Sequence, residues 1–108
     1  MSKSIIEKHL TKPIHLSARR VRRVLMQAWT IEEIELSAEM PFGEITFSFQ
    51  LQIDSDGDSS FDVSGEAIDT VAGQLPDVKR RSKAANEAIL NWINQRIDEY
   101  VNATICKQ

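Results

Sequence analysis

The polar and apolar positions first follow a helical period. From Ser17, a candidate N-cap, to Trp29 the apolar residues Ala18, Val21, Val24, Leu25 and Ala28 obey the i, i+3, i+4, i+7 rule, with Arg19, Arg20, Arg23 and Gln27 opposite them. This spacing predicts an amphipathic helix. The period then falls to two: Ile34, Leu36, Ala38 and Met40 alternate with Glu33, Glu35, Ser37 and Glu39. After the turn residues Pro41 and Gly43, Ile45, Phe47, Phe49, Leu51 and Ile53 alternate with Thr46, Ser48, Gln50 and Gln52. Two strands with one buried face each are predicted. Asp54-Ser55-Asp56-Gly57-Asp58 supplies turn chemistry, and Phe61, Val63, Gly65 and Ala67, alternating with Asp62, Ser64 and Glu66, read as a third strand. A loop with Gly73 and Pro76 leads to Asp77 as N-cap and a last helix to about Thr104, striped by Ala85, Ala88, Ile89, Trp92, Ile93, Ile97 and Tyr100. Arg96 interrupts that stripe, and the expectation for it is a side chain snorkelling past the sheet edge.

The predicted fold class is therefore α+β, in the order α-β-β-β-α, with two helices on one face of a three-stranded antiparallel sheet. Residues 17–104 form this core. Residues 1–16 fit either a flexible tail or a short helical segment around Ile5, Ile6 and Leu10. At 108 residues, with 42% apolar content, a single domain closes its core without metal or disulfide staples. The lone Cys106 forbids an intramolecular disulfide, and no apolar run reaches the roughly 18 residues of a membrane span. Lys3, Glu7, Lys8, Lys12 and Arg19 interrupt the stretch a signal peptide would need, so the expected location is cytoplasmic.

Charge changes this picture more than composition does. The net charge of −3 conceals a block from Val24 to Val78 with twelve acids and no Lys or Arg, while all thirteen basic residues and the other four acids lie outside it. The chain thus divides into −12 and +9, an asymmetry that suggests different partners for different surfaces. Arg19, Arg20, Arg22 and Arg23 would open the first helix, and Lys79, Arg80, Arg81 and Lys83 the last. Helix openings already carry partial positive charge, so each cation there forfeits about 0.3–1 kcal/mol; a docked phosphate would relieve the conflict, and the alternative is that the twelve acids of the strand region neutralise these cations or that water solvates them.

Catalytic chemistry finds few candidates. His9 and His15 are not on one helical face, and no serine elbow or glycine-rich phosphate loop accompanies them. Asp54, Asp56 and Asp58 match three positions of a calcium loop, but Ser59 and Gly65 stand where glycine and a bidentate Glu are required, leaving a hairpin turn. The expectation is a protein that is not an enzyme and has no cofactor and no metal site.

The order helix, three strands, helix, with Lys79-Arg80-Arg81-Ser82-Lys83 followed by Ala84, Ala85 and Ala88, resembles the double-stranded RNA-binding domain over roughly residues 17–100. The resemblance implies phosphate contacts from Lys79, Arg80 and Lys83, with Ser82 where that family has a small Ala. It also implies minor-groove contacts from Arg19, Arg20 and Arg23. Pro41-Phe42-Gly43-Glu44 departs from that family's Gly-Pro-x-His loop. On this reading the chain binds duplex RNA, or another nucleic acid, by A-form shape and phosphate contacts. The alternative is a protein-interaction module, a regulator or inhibitor, meeting a basic protein partner through an outer sheet face that carries Glu33, Glu35, Glu39, Asp62 and Glu66. Membrane attachment through the first helix and Trp29 ranks third, since Val21, Val24 and Leu25 are required by the core.

Overall fold

A computed structural model describes residues 8–76 and 82–104. The fold is α+β, built on an antiparallel sheet, but the order of elements is four strands followed by two helices. Strands β1 (His15–Leu25), β2 (Trp29–Met40), β3 (Gly43–Asp54) and β4 (Ser59–Asp62) form a meander in sequence order. Helices α1 (Gly65–Gln74) and α2 (Lys83–Thr104) follow.

Both predicted central strands are present and share one apolar face. The register sets Ile34 opposite Phe49, Leu36 opposite Phe47 and Ala38 opposite Ile45, and paired residues point to the same side. All six are buried, together with Met40 and Leu51. Against this inner face lie Ala67, Val71, Ala72 and Leu75 of α1 and its C-terminal end, and Ala85, Ile89, Trp92, Ile93 and Ile97 of α2, in a single cluster. Trp92 meets Phe47, and Tyr100 meets Phe49, in edge-to-face contacts with ring centroids 6.1 and 6.0 Å apart. The outer face is left without a helix, as its Glu, Gln, Ser and Thr residues require.

The turns follow their residue chemistry. Pro41 and Phe42 form the two-residue connection of β2 to β3, closed by Gly43 at a φ of 141° that few other residues adopt. Between β3 and β4 the Asp54 carboxylate accepts the N–H groups of Asp56 and Asp58 at 3.0 and 2.9 Å, so the aspartate run is a self-bonded hairpin turn.

Three expectations are corrected. The segment predicted as the first helix is strand β1, which has a β-bulge: the register runs from Arg20 opposite Ile34 to Arg22 opposite Glu33, leaving Val21 as the extra residue. That extra residue makes the apolar spacing from Ala18 to Val21 to Val24 three and three, which imitates a helix. A strand also removes the conflict between four cations and a helix opening, because Arg19, Arg22 and Arg23 now lie opposite Glu35, Glu33 and Glu32. The predicted third strand ends at Asp62, and Gly65 and Ala67 belong instead to α1, which buries Ala67 and Val71 at helical spacing. The loop expected around Gly73 is likewise helical.

α1 has a second task beside its packing. β4 covers β3 only from Gln50 onward, and where it stops the Gln74 side chain takes its place. Its Oε1 accepts the Thr46 N–H at 2.8 Å, and its Nε2 donates to the Thr46 carbonyl at 2.7 Å. One amide thus satisfies two main-chain groups that a longer β4 would have paired. At the start of α2 it is Ser82 that caps, its Oγ accepting the Ala85 N–H at 3.1 Å. Asp77, expected as that cap, and Cys106 lie outside the described residues. Of residues 1–16, the part from Lys8 onward is tied down by Trp92 Nε1, which donates to the Thr11 carbonyl at 2.9 Å, and by Leu10 against the core.

Candidate functional site

The surface that stands out is the free edge of the sheet at β1. β2 holds one side of this eleven-residue strand, and no described residue pairs with the other. Nine of its eleven residues are exposed. Ile14, Val21, Leu25 and Met26, on the strand and at its ends, are 66, 50, 71 and 46% exposed, the largest exposed apolar side chains among the described residues. A long open edge invites pairing, and four arginines between Arg19 and Arg23 are the kind of charge that keeps such an edge from pairing indiscriminately.

The bulge decides which arginines share a face. Arg19 and Arg22 share the outer face with Glu35 and Glu33, and Arg20 and Arg23 the inner face with Ile34 and Glu32. Arg19 Nη2 donates to Glu35 Oε1 at 3.1 Å. Arg20 Nη1 donates to Glu32 Oε2 at 3.3 Å, and Arg23 Nε lies 3.8 Å from the same oxygen. Glu32, whose side chain is 14% exposed, therefore serves two cations. Arg22 has no carboxylate within 4 Å among the described residues.

Beside β1 lies a groove of about 740 Å³, lined by residues 12–18 together with Leu36, Glu99, Tyr100 and Ala103. Four of these residues, His15 to Ala18, belong to β1, so the groove runs beside the first third of the strand and the segment that leads into it. Leu16 and Ala18 supply its apolar floor with Leu36, and α2 forms its wall. At the far end of that wall burial pushes the Tyr100 hydroxyl above the usual phenol range; the Glu32 carboxylate adds to the rise and the Arg20 guanidinium opposes it.

The eight predicted phosphate-binding residues are not seen as one site. Arg19, Arg20, Arg22 and Arg23 sit on a strand, not at a helix opening. Lys83 begins α2, while Tyr100, the α2 residue that feels Arg20, lies seventeen positions further on, about 25 Å along the helix. Lys79, Arg80 and Arg81 lie outside the described residues. Of the predicted acidic surface, Glu33, Glu35 and Glu39 line the outer face of β2, and Asp62 reaches the same face on β4 through Gln50. Glu66 is not on the sheet; it stands in the first turn of α1.

Glu32 and Tyr100 were absent from the predicted site. The signal for Glu32 was present, as Arg19-Arg20-x-Arg22-Arg23 mirrored by Glu32-Glu33-x-Glu35, but it becomes readable only once both segments are strands. Among the described residues no group of three or more His, Cys, Asp and Glu is placed to hold a metal ion, and no helix is long and apolar enough to cross a membrane. The site belongs to an α+β meander and lies at its longer edge strand, β1. Comparison with known proteins finds no family model, no curated protein and no solved structure that matches the chain.

Proposed function

We propose that the chain is a non-catalytic protein-interaction module whose docking element is the free edge of β1. A single observation carries this reading: an eleven-residue strand offers an edge with no partner among the described residues, flanked by exposed Ile14, Val21, Leu25 and Met26 and by a groove beside its first four residues. An added strand would take up the main-chain groups of that edge and cover the apolar side chains beside it, the recognition mode in which backbone bonds supply affinity and side-chain pockets supply specificity. On the acidic outer face of β2, Glu35 already engages Arg19.

Position-resolved photo-crosslinking tests the reading. A photoreactive residue at Val21 is compared with one at Gln50 on the outer face of β3, in the cell that makes the protein. Crosslinks to one protein that concentrate at Val21 are the expected result. Equal labelling from both positions, or none from Val21, would overturn it.

Nucleic-acid binding is the second reading, favoured by one observation: the arginines of β1 keep much of their surface open, with Arg19 72% exposed. Its sign would be crosslinks from Val21 to RNA, with an affinity falling by a log-log slope of about 0.7–0.9 per neutralised phosphate as salt rises.

A further inference from the structure

We infer that the segment received along β1 is an extended strand of another protein in two parts: carboxylates opposite Arg23 to Arg19, then alternating apolar residues opposite Ala18 to Leu16, antiparallel to β1. The inference rests on the reading of β1 as a docking edge and adds the chemistry of the partner.

Charge complementarity selects the first part. Four guanidinium groups between Arg19 and Arg23 face three carboxylates from β2, two of them share Glu32, and Arg22 has no carboxylate within 4 Å among the described residues. Because the bulge sends Arg19 and Arg22 to one face and Arg20 and Arg23 to the other, carboxylates on both faces of an incoming strand find a cation. The groove selects the second part. Its lining includes Leu16, Ala18 and Leu36 of the inner face, so inner-face side chains of the added strand lie over apolar surface there and are best apolar, although Lys12 and Glu99 also line it. The outer-face neighbours there, His15 and Ser17, suit polar residues. Antiparallel pairing continues the meander and is the slightly more stable ladder.

A second copy of the chain is a poor occupant. Antiparallel pairing of β1 with itself over its full length sets Arg20 against Arg20 and crowds eight guanidinium groups into one strip, a repulsion that such edges use to prevent self-association. A phosphate backbone fits less well than a peptide, since it is charged along its whole length and has no apolar half to place over Leu16, Ala18 and Leu36.

The test uses the unaltered full chain and synthetic peptides of eleven residues, the length of β1. One carries Glu over its N-terminal half and alternating Val and Thr over its C-terminal half; a second has the two halves exchanged, and a third has the same residues dispersed. Fluorescence anisotropy of each labelled peptide gives its affinity, and duplex RNA serves as a fourth probe. The matched peptide is expected to bind about tenfold more tightly than either rearranged one, the equivalent of several partly exposed ion pairs. It should also slow exchange of β1 main-chain amides and lose its advantage in the Arg20→Ala/Arg22→Ala variant. Equal binding by the exchanged or dispersed peptide, or tighter binding by duplex RNA, overturns the inference. A protein crosslinked at Val21 while the matched peptide shows no preference sinks this chemistry alone; absence of both sinks the docking edge as well.

Discussion

Tyr100 and Arg96 show how single side chains of α2 are fixed by what faces them. Tyr100 is the one tyrosine of the chain, so its ionisation can be followed by absorbance without interference from another phenol. Its pKa is raised first by burial and then by Glu32, with Arg20 pulling the other way. The folded state thus prefers the neutral phenol. Its contribution to stability is full below about pH 10, where the unfolded phenol is also neutral, and is lost as pH climbs through the higher folded value. A spectrophotometric titration should show a midpoint above that of the denatured chain; Glu32→Gln should lower it and Arg20→Ala raise it. A midpoint that ignores Glu32 would mean that their charges do not interact across the sheet. Arg96 is buried, contrary to the snorkelling expectation, with its guanidinium 5.4 Å from the Trp92 ring centroid. Nη2 donates to Glu99 Oε2 at 3.2 Å, and Nε lies 2.9 Å from Oε1 at an angle that forms no hydrogen bond. Much of its value is therefore packing against Trp92, while Glu99 remains partly in water. Arg96→Met keeps that packing and removes the buried charge, so thermal unfolding should show a cost well under the roughly 2–5 kcal/mol typical of emptying a core site with Ala. Equal losses for Met and Ala would show that the ion pair is the main contribution.

At the scale of elements, legibility in sequence followed burial. β2 and β3 were readable because alternate residues must enter one core, and α2 because Ile89, Trp92, Ile93 and Ile97 repeat along one helical face. β1 was not, because an edge strand with nine exposed residues needs no apolar alternation, and its bulge supplied a false helical period. α1 was missed for a related reason: Val63, Gly65 and Ala67 continue the alternation of β4 into the first turn of the helix, and only the Ala67, Val71, Leu75 spacing betrays it. The site suffered with β1, since its arginines were visible but which of them share a face depends on one extra residue. Deleting Val21 tests that account. If β1 is a bulged strand, removal of the extra residue leaves Arg19 opposite Glu35 and Arg23 opposite Glu32, and thermal unfolding should change by no more than about 1 kcal/mol. In a helix the same deletion would rotate every following residue by about 100° and displace Val24 and Leu25 from their stripe, with a much larger loss.

Over the whole molecule, stability and accessibility are divided unequally across the sheet. The −12 and +9 blocks of the sequence fold against each other at the β1 to β2 boundary, so much of the apparent dipole is spent on local pairing. These pairs are exposed and add about 0–1 kcal/mol each, whereas burying one large apolar side chain of the β2, β3 and α2 core contributes about 1.5–3 kcal/mol. Among the described residues, β1 supplies none of the fully buried side chains and is held by one ladder, three ion pairs and Leu16 at the margin of the core. It should therefore open without the rest. Native-state hydrogen exchange is expected to place β1 amides at an opening free energy well below that of β2 and β3, which should exchange only with global unfolding. Such a strand remains ordered enough to present its arginines in register, yet loose enough to adjust its twist to an arriving segment. If β1 instead exchanges only with global unfolding, it is a full member of the cooperative unit, and the proposed docking would have to use the edge as a rigid template.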